Sequence, residues 1–462
     1  MSDTQPAGRP GEGVSASTAA APRTDAAALP GGGLSGETLP GGGLSGTELP
    51  GGARPHPLAS APAEPSGPAD DWRYLGLPLV LLLALGAYLL LTRDPAPIGP
   101  PPGDDPLVRI LLVEGAPALP LDLEGDWRLF AAAGPQWTPQ GEGLRLSGKF
   151  ELRGGKLTSP DGKSQPLPGE RCLLAPAERG QGPAPAFGLL TRRYRGTLRL
   201  QQLADGRLRA VNAIELEDYL SGVIGHEMPL SWSDEALKVQ AICARSYAVR
   251  ELKPAREYDM ERDARSQVYK GVMAEDARAR AMVEATRGLV IKHQGEVITA
   301  YFHSTCGGDT VPASWIFDWV KQDTPPLMGA SDCTCQASKY YRWEKEGVDL
   351  SALRGITVAF PLQKLEIEHW PRGGYVKRVV LTGKEGKTQE IQGYRARSRF
   401  GLRAPCFEGA LRPDGKTADF KGKGWGHGVG MCQFGAEGFA KQGWAAEEIL
   451  RHFYPQTTIE QL

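Results

Sequence analysis

VNAIELEDYLSGVIGHEMPLSWSDEALKVQAICARSYAVRE, residues 211–251, changes its hydrophobic period partway along, and that change decides the fold class. After Ser233, Leu237, Ala241, Ala244 and Ala248 recur at helical spacing, and Ile242 and Val249 widen the apolar face. The pattern predicts a helix over 233–252 buried in the core. Ser233 is placed as its N-cap, and Asp234 and Glu235 suit the positive end of its dipole. A shorter helix is expected over 215–224. Between the two stands Glu227, followed by Met228-Pro229, and proline disfavours helical geometry in the residue before it.

Upstream, Gly196–Leu200 and Arg207–Val211 flank Asp205-Gly206, the signature of a β-hairpin. Leu107–Val113 and Leu144–Leu152 read as further strands. Residues 155–187 are so rich in turn formers that loops are expected there. Downstream, helices are expected over 274–287, 435–442 and 445–453, with strands over 288–303 and 374–382. Strands and helices in this mixed order predict an α+β fold rather than a doubly wound sheet.

The first hundred residues do not follow that pattern. LPGGGLSG occurs at 29–36 and again at 39–46, and LPGG recurs at 49–52. Residues 1–70 cannot bury enough apolar surface to offset their ordering entropy, so a disordered tail is expected. LGLPLVLLLALGAYLLL, residues 75–91, is free of charge and spans about 26 Å as a helix, enough for a single membrane anchor. Trp72 and Tyr74 precede it as an interfacial belt would. Arg73 and Arg93 flank it equally, so positive charge does not decide its orientation. The expected plan is a tail (1–70), an anchor (75–91), a Pro-rich spacer (92–106), a β-rich extension (107–190) and a main domain (191–462).

With 53 basic and 54 acidic residues the net charge is −1, which leaves no basic stripe for nucleic acid. Seven dispersed cysteines, an odd number, exclude a small disulfide scaffold. Cys172, Cys243, Cys406 and Cys432 look isolated and read as small buried side chains.

Three motifs could carry chemistry. In the first, Glu227 lies near apolar Met228 and Trp232. A carboxyl poor in water holds its proton toward neutrality and can donate it to a glycosidic oxygen. A zinc-protease reading of His226-Glu227 fails, because positions 229 and 230 are Pro and Leu rather than the spacing to a second histidine. The second motif, YFHSTCGG at 301–308, combines with Cys333 and Cys335. Zinc on His303, Cys306, Cys333 and Cys335, a disulfide from Cys306, or neither all remain open, as does a thiol nucleophile at Cys306. In the third, glycine fills every second position from 422 to 430 around Trp425 and His427, with Gln433 following. That is either a tight packing turn or the wall of a ligand site.

Taken together, Tyr194-Arg195-Gly196, the 211–251 stretch, SQVYKG (266–271), YFHSTCGG (301–308) and GWGHGVGMCQFGAEGFAKQGW (424–444) resemble the SpoIID/LytB family over about 190–457. The resemblance implies a peptidoglycan lytic transglycosylase cleaving between N-acetylmuramic acid and N-acetylglucosamine, on strands stripped of peptides. It also implies sporulation-type wall remodelling alongside a cell-wall amidase, with the essential glutamate at Glu227. Some members bind zinc through His and Cys, which favours a structural Zn2+. Ser266, Gln267, Tyr269, His427 and Gln433 are then expected to hold the glycan. The expected location is the cell membrane, with the catalytic domain facing the periplasm or wall. Two rivals stand beside this: a catalytically silent, amidase-activating wall scaffold, and a hydrolase pairing Glu227 with Asp234 or another carboxylate.

Overall fold

The computed structural model describes residues 106–462, apart from 135, 142–143, 178–184, 263–266 and 268. The expected tail and anchor, and all but the last residue of the expected spacer, lie outside the described residues. Among the described residues no helix is long and apolar enough to cross a membrane.

The predicted hairpin is present as Thr197–Gln202 and Leu208–Glu215, with Gly206 at positive φ in the turn. Leu107–Ala116 pairs antiparallel with the outer side of Leu208–Glu215, so that Ile110, Asn212 and Leu198 lie side by side on one face. Val108, Ile110 and Leu112 alternate inward and are buried, as a half-buried strand requires. The sheet continues through Arg171–Pro176, the long strand Ala118–Ala133 and Leu146–Arg153 to Lys156–Thr158 and Ser164–Pro166. Strands from 107–176 and from 197–215 thus share one sheet.

Residues 155–187 hold short strands where loops were expected. The turn formers there mark the corners between strands three to six residues long. Likewise 288–303 is not one strand: Leu289–His293 turns back on Glu296–Val297 through Gln294-Gly295, both at positive φ. A separate short strand, Phe302–His303, follows.

Helices α1 (Leu216–Ser221), α2 (Ile224–Glu227), α3 (Asp234–Glu251) and α4 (Ala277–Ala285) pack against this sheet's core. Helix α3 is buried nearly all round, and its alanines let neighbours approach closely. Ser233 occupies the N-cap position without a side-chain cap bond; its N–H donates instead to the Glu437 carboxylate at 2.8 Å. The charged residue at the centre of α3, Arg245, is fully buried and forms a two-bond pair with Glu217 of α1, at 2.7 and 2.6 Å. Gly288 N–H also donates to Glu217, and Arg245 reaches the Leu289 and Val283 carbonyls, so the pair's polar atoms are satisfied.

Residues 343–422 build a second core that the sequence reading caught only at 374–382. Trp343–Asp349, Thr417–Gly422 and Phe407–Leu411 form one three-stranded sheet. Lys364–His369, Val376–Thr382 and Thr388–Gln392 form another, flanked by α5 (Gly393–Arg399). Phe400, Phe420, Val379 and Leu381 fill the space between them. The chain then returns to the first core through α6 (Gln433–Lys441) and α7 (Ala446–Phe453), which pack on α3. The mixed order is the α+β arrangement expected.

Candidate active site

Glu227 is the last residue of α2, a single turn, rather than lying outside helix as the sequence suggested. Pro229 acts one residue later: Met228 is extended, at φ −130° and ψ 147°, and ends the turn. Met228 is buried while Glu227 is half-buried, so the backbone anchors an apolar side chain and leaves the carboxyl at the edge of the core. Beneath it lies Tyr219, whose hydroxyl donates to the Gln267 amide oxygen at 2.8 Å. Burial holds the Tyr219 phenol well above its usual range, and the nearby Glu227 charge adds to the effect. The exposed neighbour His226 is pushed down by partial burial, then by the positive charges of Lys270 and Arg192. Beyond Pro229, Trp232 meets Phe434 of α6 edge-on, with ring centroids 4.8 Å apart.

The expected glycan-holding residues fall in different places. Ser266 lies outside the described residues. Gln267 and Tyr269 are buried, and their polar atoms are committed inside the protein. Gln267 donates to the Ala244 carbonyl at 3.2 Å, and the Tyr269 hydroxyl donates to Asn212 at 2.9 Å. Tyr269 also belongs to a run of rings, Trp127, Phe187, Tyr194, Tyr269 and Tyr219, with successive centroids 5.2–5.8 Å apart. Such pairs contribute about 0.5–1.5 kcal/mol each beyond their buried area. Gln433 is buried and donates to Gln240 of α3 at 3.1 Å. His427 accepts from the Val429 N–H and donates to the Phe302 carbonyl at 2.8 Å, so both ring nitrogens serve the backbone. All four thus have polar atoms already bonded within the protein. Asp234, the rival second carboxylate, is held by Arg278 at 2.6 Å.

The glycine-rich third motif is a packing strap. Gly424, Gly426, Gly428 and Gly430 all have positive φ, and a Cβ at Gly428 would run into the Tyr375 hydroxyl. Gly424, Gly426 and Gly430 likewise leave no room for a Cβ against Thr305, His303 and Tyr301, which lets 424–432 run beside 302–305: Phe302 pairs with Met431 and His303 with Cys432, while Thr305 bridges Trp425.

This pairing corrects the expected ligand set. The sulfurs of Cys306, Cys333, Cys335 and Cys432 all lie within 4.8 Å of one another and could hold a metal ion. His303 is not among them: its Nδ1 faces the Val429 carbonyl at 3.2 Å and its ring packs on His427. Burial holds its pKa at about 4. Cys432, read from sequence as isolated, takes the fourth place. The signal was the Gly-x-Gly run itself, which had to pass close to another strand. All seven cysteines are free and buried, and burial pushes the thiols of Cys172, Cys243 and Cys406 up to about 12. Cys306 and Cys335 stand 3.6 Å apart, against about 2.05 Å in a disulfide.

Comparison with known proteins adds four likenesses: one family model and three relatives. The SpoIID family model, described as stage II sporulation protein, matches residues 204–293, which include α1 to α4 and Glu227. An uncharacterized protein of Brachyspira hyodysenteriae is 30% identical over 253 residues, 53% of this chain and 66% of that one. Stage II sporulation protein D of Bacillus amyloliquefaciens is 29% identical over 284 residues, covering 54% of this chain and 76% of its own. The amidase enhancer of Bacillus subtilis (strain 168) is 27% identical over 289 residues, 52% of this chain and 40% of that protein.

Proposed function

This chain belongs to the SpoIID family, and from that premise we propose that it is a peptidoglycan lytic transglycosylase with Glu227 as its acid and base. The family and its amidase-enhancer relative support a role at the cell wall. The observation that carries the finer reading is the placement of Glu227: a half-buried carboxyl at the end of a one-turn helix, on a backbone clamped by buried Met228.

Glycoside hydrolases of the common kind need two carboxylates, one to protonate the leaving oxygen and one to act as base or nucleophile. The neighbouring candidate, Asp234, is engaged by Arg278. A transglycosylase needs only one. Glu227 gives its proton to the glycosidic oxygen as the C1–O bond of N-acetylmuramic acid breaks. The same sugar's 6-hydroxyl then attacks C1 and returns its proton to Glu227, closing a 1,6-anhydro ring with no water consumed. The cysteine cluster takes no part: four sulfurs would fill a tetrahedron and leave no position for water or sugar. Membrane attachment through 75–91, with the catalytic domain outside the cytoplasm and peptide-stripped strands as substrate, belongs to the same proposal.

The test is cleavage of peptide-free glycan strands by wild type and Glu227→Gln. Loss of a general acid should slow cleavage by about 10²–10⁴-fold; a variant as active as wild type removes Glu227 from the role. The amidase-enhancer relative favours a second reading, a silent module that stimulates an amidase. Under that reading neither form cleaves glycan, and both stimulate the amidase equally.

A further inference from the structure

We propose that Cys306, Cys333, Cys335 and Cys432 bind one Zn2+ as an all-sulfur structural centre, and that this centre fixes α6 and through it the segment that follows Glu227. The proposal does not depend on the catalytic reading. A tetrahedral zinc with bonds of about 2.3 Å separates its sulfurs by about 3.8 Å. Here Cys306 and Cys335 are 3.6 Å apart and no pair exceeds 4.8 Å, close to the geometry of a single ion. A cluster of several metal ions would spread the sulfurs further.

Backbone N–H groups point at two of the four sulfurs. Cys306 N–H and Gly435 N–H each donate to Cys432 Sγ at 3.3 Å, and Gly308 N–H donates to Cys306 Sγ at 3.4 Å. Backbone donors of this kind orient sulfur ligands and stabilise their charge. Cys432 also sits at the N-cap of α6, where the helix dipole favours an anion. All four residues are buried, the closed setting of a structural rather than a catalytic metal. Soft, four-sulfur tetrahedral sites select zinc or iron; four cysteines from one chain closing round a single buried position is the form of a structural zinc centre, so zinc is the assignment.

The four ligands come from three segments: the loop after Phe302–His303, the loop at 333–335, and the start of α6. Gly435 leaves no room for a Cβ beside Cys333, and Gly438 none beside the Thr334 carbonyl, so the 333–335 loop lies flat on α6. From its other side α6 reaches back to the candidate site. Phe434 meets Trp232, Glu437 accepts from Ser233 N–H, and Gln433 bonds Gln240. Trp232 and Ser233 end the segment that starts at Glu227.

The experiment measures metal in the full chain, purified without added zinc, by inductively coupled plasma mass spectrometry, with thiols counted after denaturation without reductant. About one zinc per chain and seven free thiols are expected. Cys432→Ser should retain about tenfold less zinc, or lower still, after a chelator challenge, whereas His303→Ala and Glu227→Gln keep it. Because Cys432→Ser can also fail to fold, mercurial titration of the wild type gives an independent reading. Zinc release should follow thiol blocking, and protease cutting near Trp232 should rise with it. Iron in place of zinc, no metal, two thiols missing as a disulfide, or zinc lost from His303→Ala but kept by Cys432→Ser would each overturn the assignment.

Discussion

Ten residues separate Glu217 from Glu227, and the two carboxyls sit in different surroundings. Glu217 is buried on α1 and locked to the fully buried Arg245, with a backbone N–H donating to it as well. Glu227 ends α2 at the edge of the same core, its backbone fixed by Met228 and its side chain half in solvent. Both sit on short helices leading into α3. What separates them is whether the following backbone continues inward or is turned out by Met228-Pro229. One carboxylate is spent on folding; the other is the one we propose meets the glycan.

That contrast breaks most visibly in stability. Removing one partner of a buried ion pair strands the other charge, so Glu217→Ala should cost about 3–5 kcal/mol in urea unfolding. Glu227→Gln should shift stability by only about 0.5 kcal/mol. Similar losses from both would place Glu227 in the core and remove the distinction.

A second effect comes from the histidines of the glycine strap. Burial holds His303 at about 4 and His427 well below its usual value, so both are neutral in the folded protein near pH 7. The unfolded chain takes up these protons below about pH 6.5. Between about 6.5 and 4 it therefore binds more protons than the native state, and stability falls as pH falls. For His303 alone the loss is about 2 kcal/mol at pH 5. A melting series from pH 7 to 5 should show this decline, with a shallower slope in His427→Gln. A flat profile would mean that the strap admits charge.

The smallest effect separates packing from binding. Tyr269→Phe should cost about 1 kcal/mol by leaving Asn212 without its donor, while KM for glycan strands stays unchanged. A raised KM with unchanged melting would return Tyr269 to the substrate.

These outcomes bear on what could be read from the residues in order. The α3 helix and the 197–215 hairpin were legible because each depends on local spacing: alanines and leucines every three or four residues, and Asp-Gly between two short apolar runs. The role of Tyr269 was not, since a hydroxyl beside a glycine motif reads alike whether it faces a sugar or Asn212, 57 residues away. Cys432 was hidden for the same reason. Its partner Cys306 is 126 residues distant, and only the pairing of His303 with Cys432 brings them together. His303 carried the right residue type at an attractive spacing, but strand geometry turned it toward His427. The second core at 343–422 was missed because strands such as Trp343–Asp349, Lys364–His369 and Thr388–Gln392 carry more charged and polar residues than apolar ones.

The central claim is that a single carboxyl both gives and recovers the proton, with the sugar's own hydroxyl as nucleophile. Mass spectrometry of the ends made by the purified protein on peptide-free glycan tests it most directly. The account predicts 1,6-anhydro-N-acetylmuramic ends, with no oxygen taken up from 18O-labelled water. Ends carrying one added water, with the label, would contradict it.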